Sequence, residues 1–139
     1  MRIMAVDLGL ARTGLAISDE GERLAAPIGT VCERDGARLL ERVVQQAQQH
    51  GAGMIVVGHP KNMDGTCGES ARRAEAFADA LAERTGLEVR LWDERMTTMA
   101  AIGYLNSTDV RGKKRKNMID TVAATVILDG FLESRRLRG

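Results

Sequence analysis

Aromatic residues are scarce in this chain, which has one tryptophan, one tyrosine and two phenylalanines among 139 residues. A surface on which many nucleobases stack needs several exposed aromatic side chains, so the scarcity argues against one. Two cysteines, far apart, and two histidines make a disulfide scaffold or a structural zinc site unexpected. No apolar run approaches the length of a membrane span, and we expect no membrane partner.

The remaining composition is that of an ordinary globular protein, with 44% hydrophobic and 28% charged residues. Its length predicts a single domain over residues 1–139. The first strand begins with no cleavable signal before it, so we expect a cytoplasmic location. Net charge is +1, but residues 111–139 hold 8 basic against 3 acidic residues. A basic end of this kind is typical of a polyanionic partner.

The hydrophobic pattern predicts the element order β-β-β-α-β-α-β-α-α. Pro27 makes the third strand an edge strand or a bulge, Asp35 caps the first helix and Gly51 ends it. The predicted strands cover residues 2–6, 13–18, 24–31, 54–57 and 88–91. The predicted helices cover residues 36–50, 70–84, about 98–105 and 117–132, with a hydrophilic loop at 107–116.

Three hairpin-linked strands followed by β/α units predict an α/β fold. It has a mixed five-stranded sheet with helices on both faces. On the last helix the spacing predicts a buried side made of Ile119, Val122, Ala123, Val126, Ile127 and Phe131.

Three carboxylates stand at the ends of predicted elements. Asp7 ends the first strand, Glu94 follows the last strand beside Asp93, and Asp120 falls in the first turn of the last helix. Strand ends and adjoining helix starts meet at the edge of such a sheet where ligands bind. Three acids there would repel one another without a cation, and carboxylate oxygens suit Mg²⁺. Two such ions can promote hydrolysis of a phosphodiester.

Each acid also has a purely structural interpretation. Asp7 could accept N–H groups of the turn that contains Gly9, and Asp93 with Glu94 could pair with Arg95 on the surface. Asp120 could serve the helix dipole in the first turn. Against this, the small Ala123 and Ala124 lie one turn from Asp120 and allow the helix to approach the sheet closely.

Four motifs occur in one order and together span nearly the whole chain. They are Asp7-Leu8-Gly9 with Arg12-Thr13-Gly14, the stretch from Val57 to Thr66, Asp93-Glu94-Arg95-Met96-Thr97-Thr98, and Lys114-Arg115-Lys116 with Ile119-Asp120 and Ala123-Ala124. In these motifs the chain resembles the YqgF family, bacterial proteins similar to Holliday junction resolvases and regarded as candidate pre-16S rRNA nucleases.

The resemblance implies an RNase H-like fold and phosphodiester hydrolysis that depends on Mg²⁺ or Mn²⁺. It also implies that Asp7, Glu94 and Asp120 are the catalytic and metal-binding residues. His59 stands where the family more often has an apolar residue, so no catalytic role is expected for it.

Two segments are expected to bind substrate. The loop after the fourth strand presents Asn62, Asp64, Gly65 and Thr66 before a helix, an arrangement that can hold a phosphate, although an ordinary connecting loop has the same composition. The basic run precedes Asp120 and can bind backbone phosphates, although such runs are often only solvated. The further expected substrate contacts are Arg95 of the third motif and the basic residues of this run, Arg111, Lys113, Lys114, Arg115 and Lys116.

Structured RNA, in particular precursor 16S rRNA, is therefore the expected substrate, with ribosomal particles as further partners. A DNA junction resolvase and a non-catalytic RNA-binding assembly factor are the alternatives. An Asp-x-Gly turn between strands also opens the actin and sugar-kinase ATPases, but those need a second domain. The sequence leaves open whether the protein is a monomer or a homodimer.

Overall fold

A computed structural model describes residues 1–60, 68–93 and 112–138, with side chains in the last range from 123 to 137. Among these residues no helix is both long and apolar enough to cross a membrane. The strands are β1 (Arg2–Asp7), β2 (Arg12–Ser18), β3 (Ala25–Cys32), β4 (Ala52–His59) and β5 (Glu88–Asp93). The helices are α1 (Gly36–Gln49), α2 (Glu69–Thr85) and α3 (Gly112–Arg138).

The five strands form one sheet in the order β3-β2-β1-β4-β5. The hairpin-linked strands β1, β2 and β3 are antiparallel, whereas β4 runs parallel to β1 and β5 runs parallel to β4. The carboxyl ends of β1, β4 and β5 therefore lie at one edge, which we call the carboxyl edge. The expected mixed sheet is confirmed, and β3 is an edge strand whose register with β2 shifts beside Pro27.

Two hydrophobic cores lie on opposite faces of the sheet. One contains Met4, Val6, Ile55 and Val57 together with buried residues of α1 and α2. The other contains Ile3, Ala5, Met54 and Val56 together with α3. Successive strand residues point to opposite faces, so each of these apolar strands supplies both cores. Because both faces of the sheet are apolar, both must be covered by helices, as the hydrophobic pattern predicted.

The helix boundaries predicted from caps agree with the structure for α1 and α2. Asp35 is the N-cap of α1, where its Oδ2 accepts a hydrogen bond from the N–H of Arg38 at 3.0 Å. Gly86 ends α2 in the left-handed conformation, with φ of 71°, that glycine adopts without strain. The expected helix near residues 98–105 lies outside the described residues.

The prediction for the last helix is wrong in two respects. The helix begins at Gly112 rather than near Asn117, so residues 112–116, expected to belong to a loop, are its first turn. Its buried residues are Ala124, Ile127, Leu128, Phe131 and Leu132, whereas Ala123 and Val126 are only half-buried. The side chains of the other two expected residues, Ile119 and Val122, are outside the described set. The stretch is apolar on more than one side, so spacing alone did not identify the packed face.

The carboxyl end of α3 is tied to the turn between β2 and β3. Arg135 Nε donates to Glu22 Oε1 at 2.7 Å, and Arg136 donates to the carbonyl oxygen of Arg23 at 3.3 Å. That turn lies at the edge opposite to the carboxyl edge, because β2 is antiparallel to β1. The helix therefore runs across the sheet with its earlier residues directed towards the carboxyl edge.

This attachment predicts a pH dependence of stability. The hydrogen bond from Arg135 lowers the pKa of Glu22, against the opposing effect of burial. The folded state then favours the ionised carboxylate, so the contribution is present above the ordinary carboxyl pKa and is lost as pH falls through the lowered pKa. We expect Glu22→Gln to reduce the free energy of unfolding by at most about 1 kcal/mol at pH 7 and by less in acid.

Denaturant unfolding at both pH values measures this difference. Glu20→Gln is the matched control, because the Glu20 side chain is 79% exposed and its nearest cations lie 3.9 and 4.0 Å away. An equal loss for Glu22→Gln at neutral and acid pH would show that the Arg135 contact does not contribute through ionisation.

Candidate metal and substrate site

Asp7 is the last residue of β1 and lies at the carboxyl edge, half-buried. Ile3 and Ala5 face the core that contains α3, whereas Met4 and Val6 face α1 and α2. Alternation along the strand therefore places Asp7 on the α3 face. The acid stands on rigid backbone at the end of a buried strand in the middle of the sheet.

The turn after Asp7 is closely packed. A Cβ atom added to Gly9 would lie 2.0 Å from the carbonyl oxygen of Arg12. The N–H of Gly9 donates to Oγ1 of Thr13 at 3.4 Å, and Thr13 is completely buried. Glycine is required here because the backbone passes too near itself for any side chain, and this fixes the direction in which the chain leaves Asp7.

The helix backbone that carries Asp120 lies on the same face of the sheet as Asp7. Asp120 precedes Ala124 by one helical turn, and Ala124, fully buried, packs in the core that contains Ala5 and Ala16. These three alanines are small enough to let α3 lie close to β1 and β2, whereas Ala123, the other small residue expected to do so, is half-buried.

The length of α3 places Asp120 near the carboxyl edge. Fifteen residues separate it from Arg135, which is held at the opposite edge, and this corresponds to about 22 Å of helix. The six residues of β1 span about 20 Å. The backbones that carry Asp7 and Asp120 are therefore brought to one edge and one face.

The expected position of Asp120 in a first helical turn is wrong. Because α3 begins at Gly112, Asp120 lies more than two turns inside the helix. The favourable effect of an acid on free N–H groups is confined to the first turn. A favourable interaction with the positive end of the helix dipole therefore does not explain the presence of Asp120.

Asp93 ends β5 at the carboxyl edge but belongs to the other face. Val89 packs against the core of α1 and α2, whereas Trp92 packs against the α3 core. By alternation Asp93 shares the face of Val89, opposite to Asp7. Its partner in the ladder with β4 is His59.

His59 makes a contact that sequence reasoning missed. It is 7% exposed at the end of β4, and its Nε2 lies 2.7 Å from Oε2 of Glu75 in α2. The two residues are 16 positions apart, so no local spacing reveals the pair. The polar side chain is tolerated in place of an apolar one because a carboxylate partner reaches it.

Removing the carboxylate leaves a buried ring nitrogen without this partner, so we expect Glu75→Ala to destabilise the fold by about 1–2 kcal/mol. His59→Leu with Glu75→Ala should recover most of the loss, since the buried polar group is then gone. Thermal or denaturant unfolding compares the variants with Glu83→Ala, an exposed glutamate on the same helix. A double variant no more stable than Glu75→Ala would contradict this account.

The basic segment forms the first turn of α3, which holds no acidic residue. Lys113, Lys114, Arg115 and Lys116 follow Gly112 there. Cationic side chains at a helix N-terminus are repelled by the positive end of the helix dipole. A bound anion, by contrast, would be stabilised by the dipole and by the basic side chains. The segment therefore lies on α3 more than one turn before Asp120, on the side that leads to the carboxyl edge.

Several of the expected site residues belong to stretches outside the described part of the chain. They are Glu94, Arg95, Arg111 and the loop residues Asn62, Asp64, Gly65 and Thr66. Within the residues that are described, no group of three or more His, Cys, Asp or Glu side chains could hold a metal ion. The donors that the described backbone brings to the α3 face of the carboxyl edge, Asp7 and Asp120, are oxygen donors, which fit a hard divalent cation.

A cavity of about 490 Å³ lies away from this site, between the carboxyl-terminal half of α3, the turn between β2 and β3, and β5. Its rim includes Glu22, Arg90, Arg135 and Arg136. Arg135 is paired with Glu22 and Arg90 with Glu88, so much of the positive charge there is neutralised internally. The cavity is not part of the candidate metal site.

Comparison with known proteins identifies relatives over nearly the whole chain. Residues 1–134 match the RuvX family, described as Holliday junction resolvase. Relatives named "Putative pre-16S rRNA nuclease" occur in Lachnospira eligens, 42% identical over 98% of this chain and 99% of the relative, and in Bacillus thuringiensis, 44% identical over 97% and 100%.

Two solved structures share the fold at low sequence identity. RuvC of T. thermophilus in complex with a Holliday junction substrate has a TM-score of 0.58 and 14% identity, over 98% of this chain and 96% of that chain. The Fowlpox virus resolvase in complex with Holliday junction DNA also has a TM-score of 0.58, with 12% identity over 97% and 99%. The expected RNase H-like fold is confirmed.

Proposed function

The chain belongs to the RuvX family, and we propose that it hydrolyses phosphodiester bonds of precursor 16S rRNA, since near-full-length relatives carry the name "Putative pre-16S rRNA nuclease". The observation that carries the proposal is the placement of Asp7 and Asp120. The backbone brings these residues, which come from the two ends of the chain, to one edge and one face of the sheet. Such a substrate would place the protein in the cytoplasm and near ribosomal particles.

The residues proposed to hold the metal are Asp7, Glu94 and Asp120, and the metal is Mg²⁺ or Mn²⁺. A divalent cation at such a site supplies an activated water and stabilises charge on the leaving oxygen. The sheet holds Asp7 in a fixed position, and α3 brings Asp120 towards it. The close contact of Ala124 with the sheet keeps the helix from moving away.

Glu94 rather than Asp93 is proposed as the second carboxylate. Asp93 shares the face of Val89, on the side of α1 and α2, whereas Asp7 is on the α3 face. Because Asp93 does not share the face of Asp7, we take the carboxylate next to it in the sequence, Glu94, as the second ligand. We therefore expect Glu94→Gln to lower the cleavage rate and Asp93→Asn to retain activity.

The first turn of α3 is proposed to bind backbone phosphates of the substrate, together with Arg95, Arg111 and the loop of Asn62, Asp64, Gly65 and Thr66. Four consecutive basic residues at a helix N-terminus are unfavourable in the protein alone. A phosphate would be favoured by the charges and by the free N–H groups alike. Contacts of this kind give affinity without sequence selectivity.

Replacing Lys114 and Lys116 by glutamine should therefore raise KM for RNA with little change in kcat. The slope of log affinity against log salt should fall by about one for each lysine that contacts a phosphate. Arg23→Gln, which alters an exposed arginine at the opposite edge, is the control and should leave both quantities unchanged. Equal salt slopes for the lysine variant and the native protein would exclude these phosphate contacts.

Cleavage of two substrates tests the proposed function directly. A precursor 16S rRNA fragment that contains the 5′ processing region and a four-way DNA junction are incubated with the protein and Mg²⁺. We expect cleavage of the RNA and its loss on chelation of the metal. Cleavage of the junction alone would favour the resolvase, and binding of RNA without cleavage of either substrate would favour a non-catalytic assembly factor.

A further inference from the structure

Leu10 is an exposed apolar residue at the carboxyl edge. Its side chain is 73% exposed in the turn that connects β1 to β2, three positions after Asp7. Single exposed leucines are common and need no functional explanation by themselves. Leu24, 72% exposed in the turn between β2 and β3 at the opposite edge, is an example. What distinguishes Leu10 from Leu24 is its position at the carboxyl edge, close in the chain to Asp7.

The turn that carries Leu10 is anchored on both sides. Leu8 packs against the core beneath α1 and α2. The carbonyl oxygen of Ala11 accepts a hydrogen bond from the N–H of Glu33 at 3.0 Å. Gly9 is held by the close approach of Arg12, as described above. Leu10 therefore projects from a fixed backbone. Because the turn is already ordered, it loses little conformational entropy when a ligand binds to Leu10.

The distance from Asp7 to Leu10 limits what Leu10 can contact. Three peptide units separate their Cα atoms by at most about 11 Å. Along a nucleic acid strand the rise is about 3.4 Å per nucleotide, so this distance covers about three nucleotides. A strand whose scissile phosphate lies at Asp7 would bring its neighbouring nucleotides to Leu10.

The apolar side chain of leucine limits which groups of a nucleic acid Leu10 can contact favourably. An isobutyl group cannot donate or accept a hydrogen bond, so it reads neither base edges nor phosphates. Its favourable contact is with the face of a base, and apolar side chains inserted between base steps unstack them. In a continuous duplex that face is covered by stacking, whereas at a strand end, bulge or loop it is available.

We infer that Leu10 contacts the face of an unstacked nucleobase within about three nucleotides of the scissile phosphate. This contact makes the site selective for RNA that has unpaired nucleotides beside the cut. The inference rests on the proposed function, in which Asp7 marks the position of the scissile phosphate. It adds a residue that determines which RNA structures are cleaved.

Steady-state cleavage is the first test. On an RNA with unpaired nucleotides at the cut, Leu10→Ser should raise KM about tenfold, a loss comparable to exposing one buried leucine side chain. On an otherwise identical, fully paired RNA it should change KM much less. Leu24→Ser, matched in exposure and substitution, should behave as the native protein on both. Equal behaviour of the two serine variants would overturn the inference.

A fluorescence measurement separates this inference from the proposed function. The inactive Asp7→Asn protein is bound to RNA that carries 2-aminopurine at one of the three nucleotides on either side of the cut. Unstacking should raise the fluorescence with Leu10 present and not with Leu10→Ser. Retained cleavage by native protein without this difference overturns the role of Leu10 alone. Absence of both RNA cleavage and RNA binding by native protein overturns the two proposals together.

Discussion

Asp7→Asn is expected to lower the rate of RNA cleavage about a thousandfold while the protein remains folded. The substitution preserves the shape of a half-buried side chain at the end of β1 but removes the charge that is proposed to hold the metal. Loss of one group that stabilises charge in a transition state reduces rates by about 10²–10³, and a metal ligand belongs at the upper end of this range.

Single-turnover cleavage of the RNA fragment measures this effect, with circular dichroism to confirm folding. Asp79→Asn is the matched control, because Asp79 is an exposed aspartate in the middle of α2. It should cleave at the native rate. If Asp7→Asn and Asp79→Asn cleave equally fast, the carboxyl edge of β1 is not the active site.

Gly9→Ala is expected to have the second largest effect, on both stability and cleavage. The added Cβ would lie 2.0 Å from the carbonyl oxygen of Arg12 and 3.2 Å from its carbonyl carbon, and backbone atoms cannot turn aside as side chains do. The turn must open, at a cost of about 2 kcal/mol or more. Displacement of Asp7 by about 1 Å would then lower the cleavage rate about a hundredfold.

Gly36→Ala is the control for Gly9→Ala. A Cβ added to Gly36 meets no atom within 4 Å, and alanine is favoured over glycine at the start of α1. Unfolding and single-turnover cleavage of both variants separate the close packing of the turn from the general effect of adding a methyl group. Native stability and rate in Gly9→Ala would contradict the packing described for this turn.

The strands could be predicted because strands buried on both faces consist of apolar residues. Val6, Ile55 and Val57 are fully buried between helices, so their segments read as continuous apolar runs bounded by glycine or charge. Asp35 was predictable as a cap because its hydrogen bond to the N–H of Arg38 is local. In both cases the information that determines the structure lies within a few residues of chain.

The start of α3 was not predictable in the same way. Residues 112–116 contain no apolar residue, so hydrophobic periodicity could not extend the helix to them, although lysine and arginine are good helix formers. The position at which α3 begins affects the interpretation of Asp120. A helix that began near Asn117 would give Asp120 a structural role at its N-terminus, and the longer helix removes that role.

The sequence identified Asp7 as a candidate ligand because an acid at the end of a buried strand is recognisable without a structure. The pair of His59 and Glu75 depends on a contact between residues 16 positions apart, and the exposure of Leu10 is a property of the folded chain that spacing does not reveal. The assignment of Asp93 and Asp7 to opposite faces needed the packing of Val89 and Trp92. Spacing along β5 alone could not connect its two faces to those of β1.

The central claim is that residues from opposite ends of the chain form one divalent-cation site. Calorimetric titration of Mn²⁺ into native protein, Asp7→Asn, Asp120→Asn and the double variant tests it most directly. We predict that either single substitution weakens binding severely and that the double variant is little worse, because ligands of one site are not additive. Native affinity in Asp120→Asn, or independent and additive losses, would contradict the claim.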